Sequence, residues 1–422
     1  MPVEWQIGRR FKQKGRKMKG IPVKKPQMAP WMNRMARSGA IAALVGLTLP
    51  TLVASAAPTP SFMGLGTTST CRFPTVAFGV SADGSTVVGR CQNNTGNGAF
   101  EAFRWNESTG LITLGDIPGG SYSSSAIGVS SNGSVVVGVG QSPESGSNNV
   151  ATRWTQASGL MSLGVLQGGV YSSAAIAVSD DGAVVVGFSS SDLNDQAFRW
   201  TAATGMVGLG LARSQATGVS SDGQVIAGHS GSLRRPFRWT AATGAVSLGL
   251  PANGANAAFV ENLSSDGSTI VGFSRKPTGE DQAFVWREGF GYQDLGMIPG
   301  DFSSIAREIS DDGSRIVGAS DGSGPSKAVI WDGTNGLRNL RDWLVSDFGL
   351  NLTGWLLTDA YAISSDGNTI VGVGINPQGE QEAFRAVIPE PATVILLLAI
   401  GMLRRRNLRG RANAPDSPLA CP

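Results

Sequence analysis

A tetrapeptide of the form Ser-x-Asp/Asn-Gly recurs seven times in this chain. The copies are Ser81–Gly84, Ser130–Gly133, Ser179–Gly182, Ser220–Gly223, Ser264–Gly267, Ser310–Gly313 and Ser364–Gly367, with successive glycines 49, 49, 41, 44, 46 and 54 residues apart. Asp-Gly between short apolar runs is a strong hairpin signal, because the turn needs positive φ and glycine supplies it without a Cβ clash. A β-branched run ending in glycine follows each turn, as in Val135–Gly138 and Thr369–Gly372. The next segment carries an aromatic signature, Ala102-Phe103-Arg104-Trp105 in the first copy and Ala197-Phe198-Arg199-Trp200 in the third. It is degenerate at Ala151–Trp154 and Ala328–Trp331, and Ala383–Ala386 lacks the Trp. A last segment ends in Leu-Gly, as at Leu114-Gly115 and Leu248-Gly249. The stretch Met206–Trp239 shows all four segments together.

Four short strands in about 40–50 residues is the period of a propeller blade. The expected fold is all-β, a seven-bladed β-propeller of four-stranded repeats over 57–387. An N-terminal signal segment and a short C-terminal transmembrane helix flank it. An open β-solenoid is the competing architecture, but its repeats are usually shorter and more uniform. The phase stays open. Phe62–Gly66 either begins a first unit or completes the sheet containing Ala383–Val387, closing the ring through the two ends of the domain. Within Ala-Phe-Arg-Trp, strand alternation puts Phe and Trp on one side and Arg on the other. The Trp residues are expected in the core between units, with sugar stacking as the sharper alternative.

Composition narrows the partners. Glycine makes up 58 residues and charged residues only 15%, as suits a turn-dense β protein, while 41% apolar content is enough for a core. The formal charge of +3 hides an asymmetry. Residues 1–37 carry 11 bases and one acid, and residues 404–422 carry five and one; the segment between is left with 18 bases against 29 acids, a net of −11. An acidic repeat region argues against nucleic acid, whose phosphates need a basic face.

The first strand of each hairpin is poor in bulk, as at Ala126–Val129 and Ala175–Val178, which suits the crowded position nearest a propeller axis. Glu261-Asn262 and Arg307-Glu308 break that pattern. Glu261, Arg307 and Glu308 are therefore candidate ligand-facing residues lining a channel. Trp343 and Trp355, in an insertion over roughly 341–359, are further candidates; the insertion is either a binding loop or a packed closing segment. The turn aspartates read as turn-formers rather than calcium ligands, since calcium needs six to eight converging oxygens. In Asp180-Asp181 and Asp311-Asp312 adjacent residues point apart. The single histidine, His229, is expected in a Gly/Ser loop, and no catalytic constellation, metal site or cofactor is expected.

The ends read as addresses. After the basic leader comes an apolar run from Ala40 to Ala57 with Ala54-Ser55-Ala56, which fits a secretory signal cleaved after Ala56. Export would allow a disulfide between Cys71 and Cys91. At the other end Pro389-Glu390-Pro391 precedes an apolar run at 392–403 and then Arg404-Arg405-Arg406. As a helix that run spans about 18 Å, short of a hydrocarbon core of about 30 Å. This tail over 388–411 resembles the PEP-CTERM sorting signal of Gram-negative bacteria; 412–422 is expected to be disordered. The resemblance implies export, transient membrane retention through the C-terminal helix and processing by an exosortase-type membrane protease. It also implies association with exopolysaccharide. The repeats resemble bacterial HAF-type extracellular repeats over about 62–387, although Gln196, Gln282 and Glu382 stand where that family has a histidine before Ala-Phe. The expected function is non-enzymatic binding, adhesion or structure at the cell surface or in the extracellular matrix. A secreted polysaccharide lyase or glycoside hydrolase is the alternative.

Overall fold

The computed structural model describes residues 59–388 except 95–97, 147, 171 and 193. These residues form seven four-stranded antiparallel sheets, each a blade. The innermost strands are Cys71–Val80, Ser124–Val129, Ser173–Val178, Gln215–Val219, Ala257–Leu263, Ser303–Ile309 and Leu356–Ile363. They stand side by side around a central axis, the last beside the first. Ser61–Gly64 is the rim strand of blade 7, pairing antiparallel with Gln381–Val387 so that Ser61 opposes Val387 and Gly64 opposes Phe384. The ring is thus closed by the two ends of the domain. A unit counted from Met206 to Trp239 straddles two blades, since Gly205–Ala212 is the rim strand of blade 3 and Gln215 opens blade 4.

Seven apolar clusters occur among the described residues, one at each junction between blades. At the junction of blades 7 and 1, Val87, Phe103, Trp105 and Leu111 pack on Val371 and Ala383. The signature Trp residues belong to these junctions, with Trp105 and Trp154 buried and Trp200, Trp239, Trp286 and Trp331 partly buried. The tryptophans are core, and the apolar face of each sheet is covered by its neighbour.

The repeat signature also supplies the polar joints between blades. Within each turn the Ser hydroxyl donates to the side-chain oxygen of the Asp, or of Asn132 in blade 2, at 2.7 Å in Ser81–Asp83, and accepts an amide, that of Thr86 at 2.9 Å. The turn aspartate is therefore consumed locally. The second turn residue donates its amide to the same position of the next blade: Ala82 to the Ser131 carbonyl at 3.1 Å, Asp180 to Ser221 at 3.2 Å, Asp311 to Ser365 at 3.1 Å. The signature Arg reaches across to the turn glycine carbonyl of the next blade, as in Arg104 to Gly133 at 3.3 Å, Arg238 to Gly267 at 3.0 Å and Arg385 to Gly84 at 3.2 Å. Arg385 also lies over the Trp105 ring at 5.4 Å. A hydroxyl early in each of several inner strands ties back to the previous blade. Ser124 accepts from the Ala102 amide and donates to the Gly115 carbonyl; Ser173 and Ser304 do the same with Ala151 and Gly164, and with Ala283 and Gly296. Ala-Phe and Leu-Gly are thus the two ends of one inter-blade clamp.

Helix α1, Leu340–Phe348, fills the insertion of blade 7. Asn339 caps it by accepting the Asp342 amide, and Gly349 ends it in the left-handed region at φ 66°. Leu340, Trp343, Leu344 and Leu352 are buried in the cluster between blades 6 and 7, and Trp355 packs edge-on against Phe62. The insertion is a packed closing segment, and Trp343 and Trp355 do not line the axis. His229 lies in the strand Val225–Ser230, not in a loop, and is buried edge-on to Phe259. No helix among the described residues is long and apolar enough to cross a membrane. The run at 392–403, the motif residues Pro389–Pro391 and Arg404–Arg406, and the cleavage residues Ala54 and Ala56 lie outside the described residues.

The glycine that follows the apolar run within each second strand has a separate task. Every inner strand bulges where it faces that glycine, with register shifts at Ala77/Gly79, Ala126/Gly128, Ala175/Ala177, Ala216/Gly218, Val260/Asn262, Ala306/Glu308 and Ala360/Ala362. The carbonyl just before each bulge turns onto the glycine. A Cβ at Gly228 would come within 3.0 Å of the Gln215 carbonyl, and Gly272 and Gly318 repeat this with Phe259 and Ile305. Gly228→Ala should therefore cost about 3 kcal/mol or more, a backbone clash with nowhere to relax. Gly324→Ala, where the added methyl meets nothing within 4 Å, should cost less than about 1 kcal/mol. Urea unfolding of both variants checks the contrast.

Candidate functional site

A bulge places one extra residue in the inner strand and re-aims its side chain. The seven extra residues are Phe78, Ile127, Ile176, Thr217, Glu261, Arg307 and Tyr361, and all seven line one axial channel of about 250 Å³. The ring is two-sided. Blades 1 to 3 contribute the apolar Phe78, Ile127 and Ile176, whereas blades 4 to 7 contribute Thr217, Glu261, Arg307 and Tyr361. The next position is polar only in blades 5 and 6, with Gly218 in blade 4 and Ala362 in blade 7. It is Gly79, Gly128 and Ala177 on one side, then Asn262 and Glu308 in blades 5 and 6. A Cβ at Gly79 or Gly128 would press on the neighbouring strand's carbonyl, Ile127 or Ile176. Bulk at this level is therefore confined to the polar wall.

The charges on that wall are organised around Arg307. Its guanidinium bonds Glu261 at 3.2 Å and Asp359 at 3.0 Å, and stacks over Tyr361 at 5.0 Å. Burial pulls the Arg307 pKa down, but the Asp359 and Glu261 charges more than offset this and raise it. Both carboxyls are still pushed up, first by burial; the Asp359 charge adds to the rise at Glu261, and the Asp321 charge to that at Asp359. Tyr361 stands edge-on to Phe78 with ring centroids 5.1 Å apart, joining the two walls of the ring.

Glu308 has no cationic partner of this kind. It accepts hydrogen bonds from the Asn262 side chain at 2.6 Å and from the Ile309 amide at 3.3 Å. Both favour the carboxylate. Burial outweighs them, helped by the charges of Asp311 and Glu261, and its pKa is pushed up to about 8. Further along the axis the lining is Val80, Val129, Val178, Val219, Leu263, Ile309 and Ile363, which also pack in or against the clusters between blades. Beyond it lies the mouth formed by the second turn residues. Asp180 and Asp311 face the channel there, both raised by burial, and Asp180 further by the Asp311 charge. Their neighbours Asp181 and Asp312 bond Ser179 and Ser310 instead, so each pair does point apart.

Among the residues singled out from sequence, Glu261, Arg307 and Glu308 thus converge on one site. Phe78 and Tyr361 were not expected there; their signal is that they sit at the same repeat offset as Glu261 and Arg307. Asp180 and Asp311 are marked by the only acidic residues at the second turn position. Cys71 and Cys91 are joined in a disulfide within the first hairpin, Cα atoms 5.5 Å apart, remote from the charged wall. No group of three or more potential metal ligands occurs among the described residues.

The raised Glu308 pKa has a thermodynamic sign. The unfolded chain loses this proton near pH 4.5 and the folded chain near pH 8. The stabilisation from holding the proton is complete below 4.5, is lost as pH rises to 8 and does not change above that. Glu308→Gln mimics the protonated form. It should match the wild type at pH 5 and exceed it at pH 8.5 by on the order of 2–4 kcal/mol. The difference between the two chemical-unfolding curves as a function of pH reads this directly.

No protein-family model matches the chain, and neither does any curated protein sequence. Solved structures match in fold. The oligogalacturonate lyase of Vibrio parahaemolyticus aligns with a TM-score of 0.50 at 11% identity, over 79% of this chain and 98% of that one. The putative TolB of Agrobacterium tumefaciens aligns with a TM-score of 0.42 at 15% identity, over 72% and 99%. The chain is a seven-bladed β-propeller.

Proposed function

We propose that this protein is an exported propeller of the cell surface or extracellular matrix that acts by binding, without catalysis, and that the axial channel is its binding site. The observation that carries the binding reading is the two-sided bulge ring. Five of its charged or aromatic residues and neighbours are held by one another, with Arg307 fixed between Glu261 and Asp359 and Tyr361 fixed against Phe78. A pre-ordered polar wall opposite an apolar one orients a ligand at little entropic cost. Export rests on the tripartite PEP-CTERM-like tail, the secretory-type leader and the extracellular-type repeats; a Cys71–Cys91 disulfide is at home in that compartment. The partners that follow are an exosortase-type membrane protease and, at the surface, polysaccharide.

Catalysis is the second reading, and one observation favours it. Glu308 keeps its proton near neutral pH beside the acid Glu261, a combination that a polysaccharide lyase or glycoside hydrolase uses as acid and base.

One experiment addresses both parts. Cells expressing the full chain, and a chain lacking Pro389–Arg406, are fractionated, and the purified full chain is applied to a glycan array. The deletion should move the protein from membrane to medium, and the array should show binding without release of oligosaccharide. Unchanged fractionation would refute the sorting claim. Oligosaccharide release abolished by Glu308→Gln would replace the binding reading with the enzymatic one.

A further inference from the structure

At the blade ends opposite the mouth, blades 5 and 6 pair their cations with acids. Arg275 is held by Asp281 at 2.7 Å, Lys276 by Glu280 at 3.7 Å, and Lys327 by Asp301. Blade 4 departs from this. Residues 213–247 hold four bases, Arg213, Arg234, Arg235 and Arg238, against one acid, Asp222, whereas 59–388 as a whole hold 18 bases against 28 acids. Three of those arginines sit together. Gln215 opposes His229 and Ser230 opposes Arg235. Arg213, the hairpin tip Gly231–Arg234 and Arg235 therefore share one end of the sheet, within two strand spacings, about 10 Å. Among the described residues none of the three makes an ion pair or a side-chain hydrogen bond. Asp195 of blade 3 adjoins, its carbonyl accepting the Ser214 amide at 3.0 Å, yet its carboxylate pairs with none of them.

The backbone carries a second observation. Arg213 and Arg234 stand in the left-handed region, at φ 52° and 46°. The other non-glycine residue described there is Asn194, a type that takes this conformation readily. The tip is also pinned. Elsewhere a hydroxyl clamps the Ala amide of the signature, but here Pro236 has no amide and Ala258 no hydroxyl. The Arg234 carbonyl instead accepts the Ala258 amide of blade 5 at 3.0 Å. Nothing below neutralises Arg234. His229 is buried with Nδ1 unpartnered, and burial first, then the Arg234 charge, holds its pKa down to about 4. Like charges gathered on a strained, fixed backbone oppose folding, a cost that persists where a ligand uses it.

From this we infer that the arginine edge of blade 4 is a second binding site, outside the channel, for the carboxylates of an acidic polysaccharide of the polyuronate class. The inference rests on the polysaccharide-binding reading, and not on export. A guanidinium presents a planar fork that matches a carboxylate with two parallel hydrogen bonds. Three such forks within about 10 Å can engage neighbouring carboxylates of one chain. Leu233, half exposed at the same tip, offers the C–H face of a sugar an apolar contact, which a bare inorganic anion would not use. Nucleic acid fits less well. Its phosphates follow one another without neutral stretches, and beyond blade 4 the ring is acidic or neutral. The mouth acids Asp180 and Asp311 lie at the other end of the blades and do not repel a polyanion bound here.

The test is calorimetric titration of the full-length chain with alginate oligosaccharides, dextran of similar length and single-stranded DNA in turn. Alginate should bind and dextran should not, and alginate affinity should fall as salt is raised. Arg213→Asn and Arg234→Asn remove charge while suiting the left-handed backbone, so the fold is kept; Arg235→Gln removes the third charge. Each should weaken alginate binding by about tenfold, the scale of one charge-assisted hydrogen bond, and the triple variant should abolish it. Arg72→Gln, at an exposed and unpaired arginine of blade 1, should leave the affinity unchanged. Thermal melts confirm that each variant is folded. Alginate affinity that the edge variants do not alter, or that Arg72→Gln lowers as much, would overturn the inference. Dextran bound as tightly as alginate would overturn it too, as would DNA bound as tightly through the same arginines. Absence of alginate binding also ends it: if the array still captures a neutral glycan the binding function stands, and if the array captures none both fall.

Discussion

One close approach governs the architecture: the carbonyl that precedes each inner-strand bulge lies against a glycine of the second strand. At Gly228, Gly272 and Gly318 no side chain larger than hydrogen fits that space. The glycine permits the bulge, the bulge turns one side chain per blade to the axis, and seven such side chains make the channel. A regular strand would send alternate residues inward and outward. Here consecutive residues, such as Arg307 and Glu308, both reach the axis, which is how a wall one strand wide can carry a cation and a buried acid side by side.

The second constraint is that a blade is incomplete alone. Its apolar face is covered only by its neighbour, and its polar joints cross the same junction. The Arg-to-turn strut, the Ser-to-Ala clamp and the turn-to-turn amide bond each join blade n to blade n+1. Buried main-chain groups at the junction are thereby paired, as they must be away from water. Cost and benefit are repeated seven times with small variations, so individual copies can drift. Val285 and Ile330 replace the signature Arg in blades 5 and 6, and in blade 6 Arg315, from the second strand, reaches the Gly367 carbonyl instead. The rim strand keeps company with that change. Exposed Ile112, Met161 and Val246 lie opposite an Arg, whereas Gln293 and Arg338 lie opposite Val285 and Ile330.

This explains what could be read beforehand. Turn, strand count, strand order and aromatic core follow from local chemistry that each repeat restates, so Ser-x-Asp-Gly and Ala-Phe-x-Trp announce them. Blade phase does not follow, because the repeat looks the same wherever counting begins; only the pairing of Ser61–Gly64 with Gln381–Val387 settles it. Within the site, Glu261, Arg307 and Glu308 were legible because charge is conspicuous on strands that are otherwise nearly uncharged and mostly poor in bulk. Phe78 and Tyr361 were not, since an aromatic residue on an inner strand reads as core until the bulge is known. Trp343 and Trp355 misled for the opposite reason. Inserted aromatics suggest a binding loop, but these two close the gap between blades 6 and 7.

The central claim is that bulged strands aim consecutive side chains into an open axis, and cysteine accessibility along Ala175–Val178 tests it most directly. With Cys421 replaced by Ser, single cysteines at 175, 176, 177 and 178 are exposed to a small water-soluble thiol reagent in the folded protein. Ala175 is fully buried, while Ile176, Ala177 and Val178 all line the channel. The expected result is a protected 175 followed by three reactive positions in a row. Alternating reactivity, 176 and 178 labelled with 175 and 177 silent, would mean a regular strand and no ring of bulged residues.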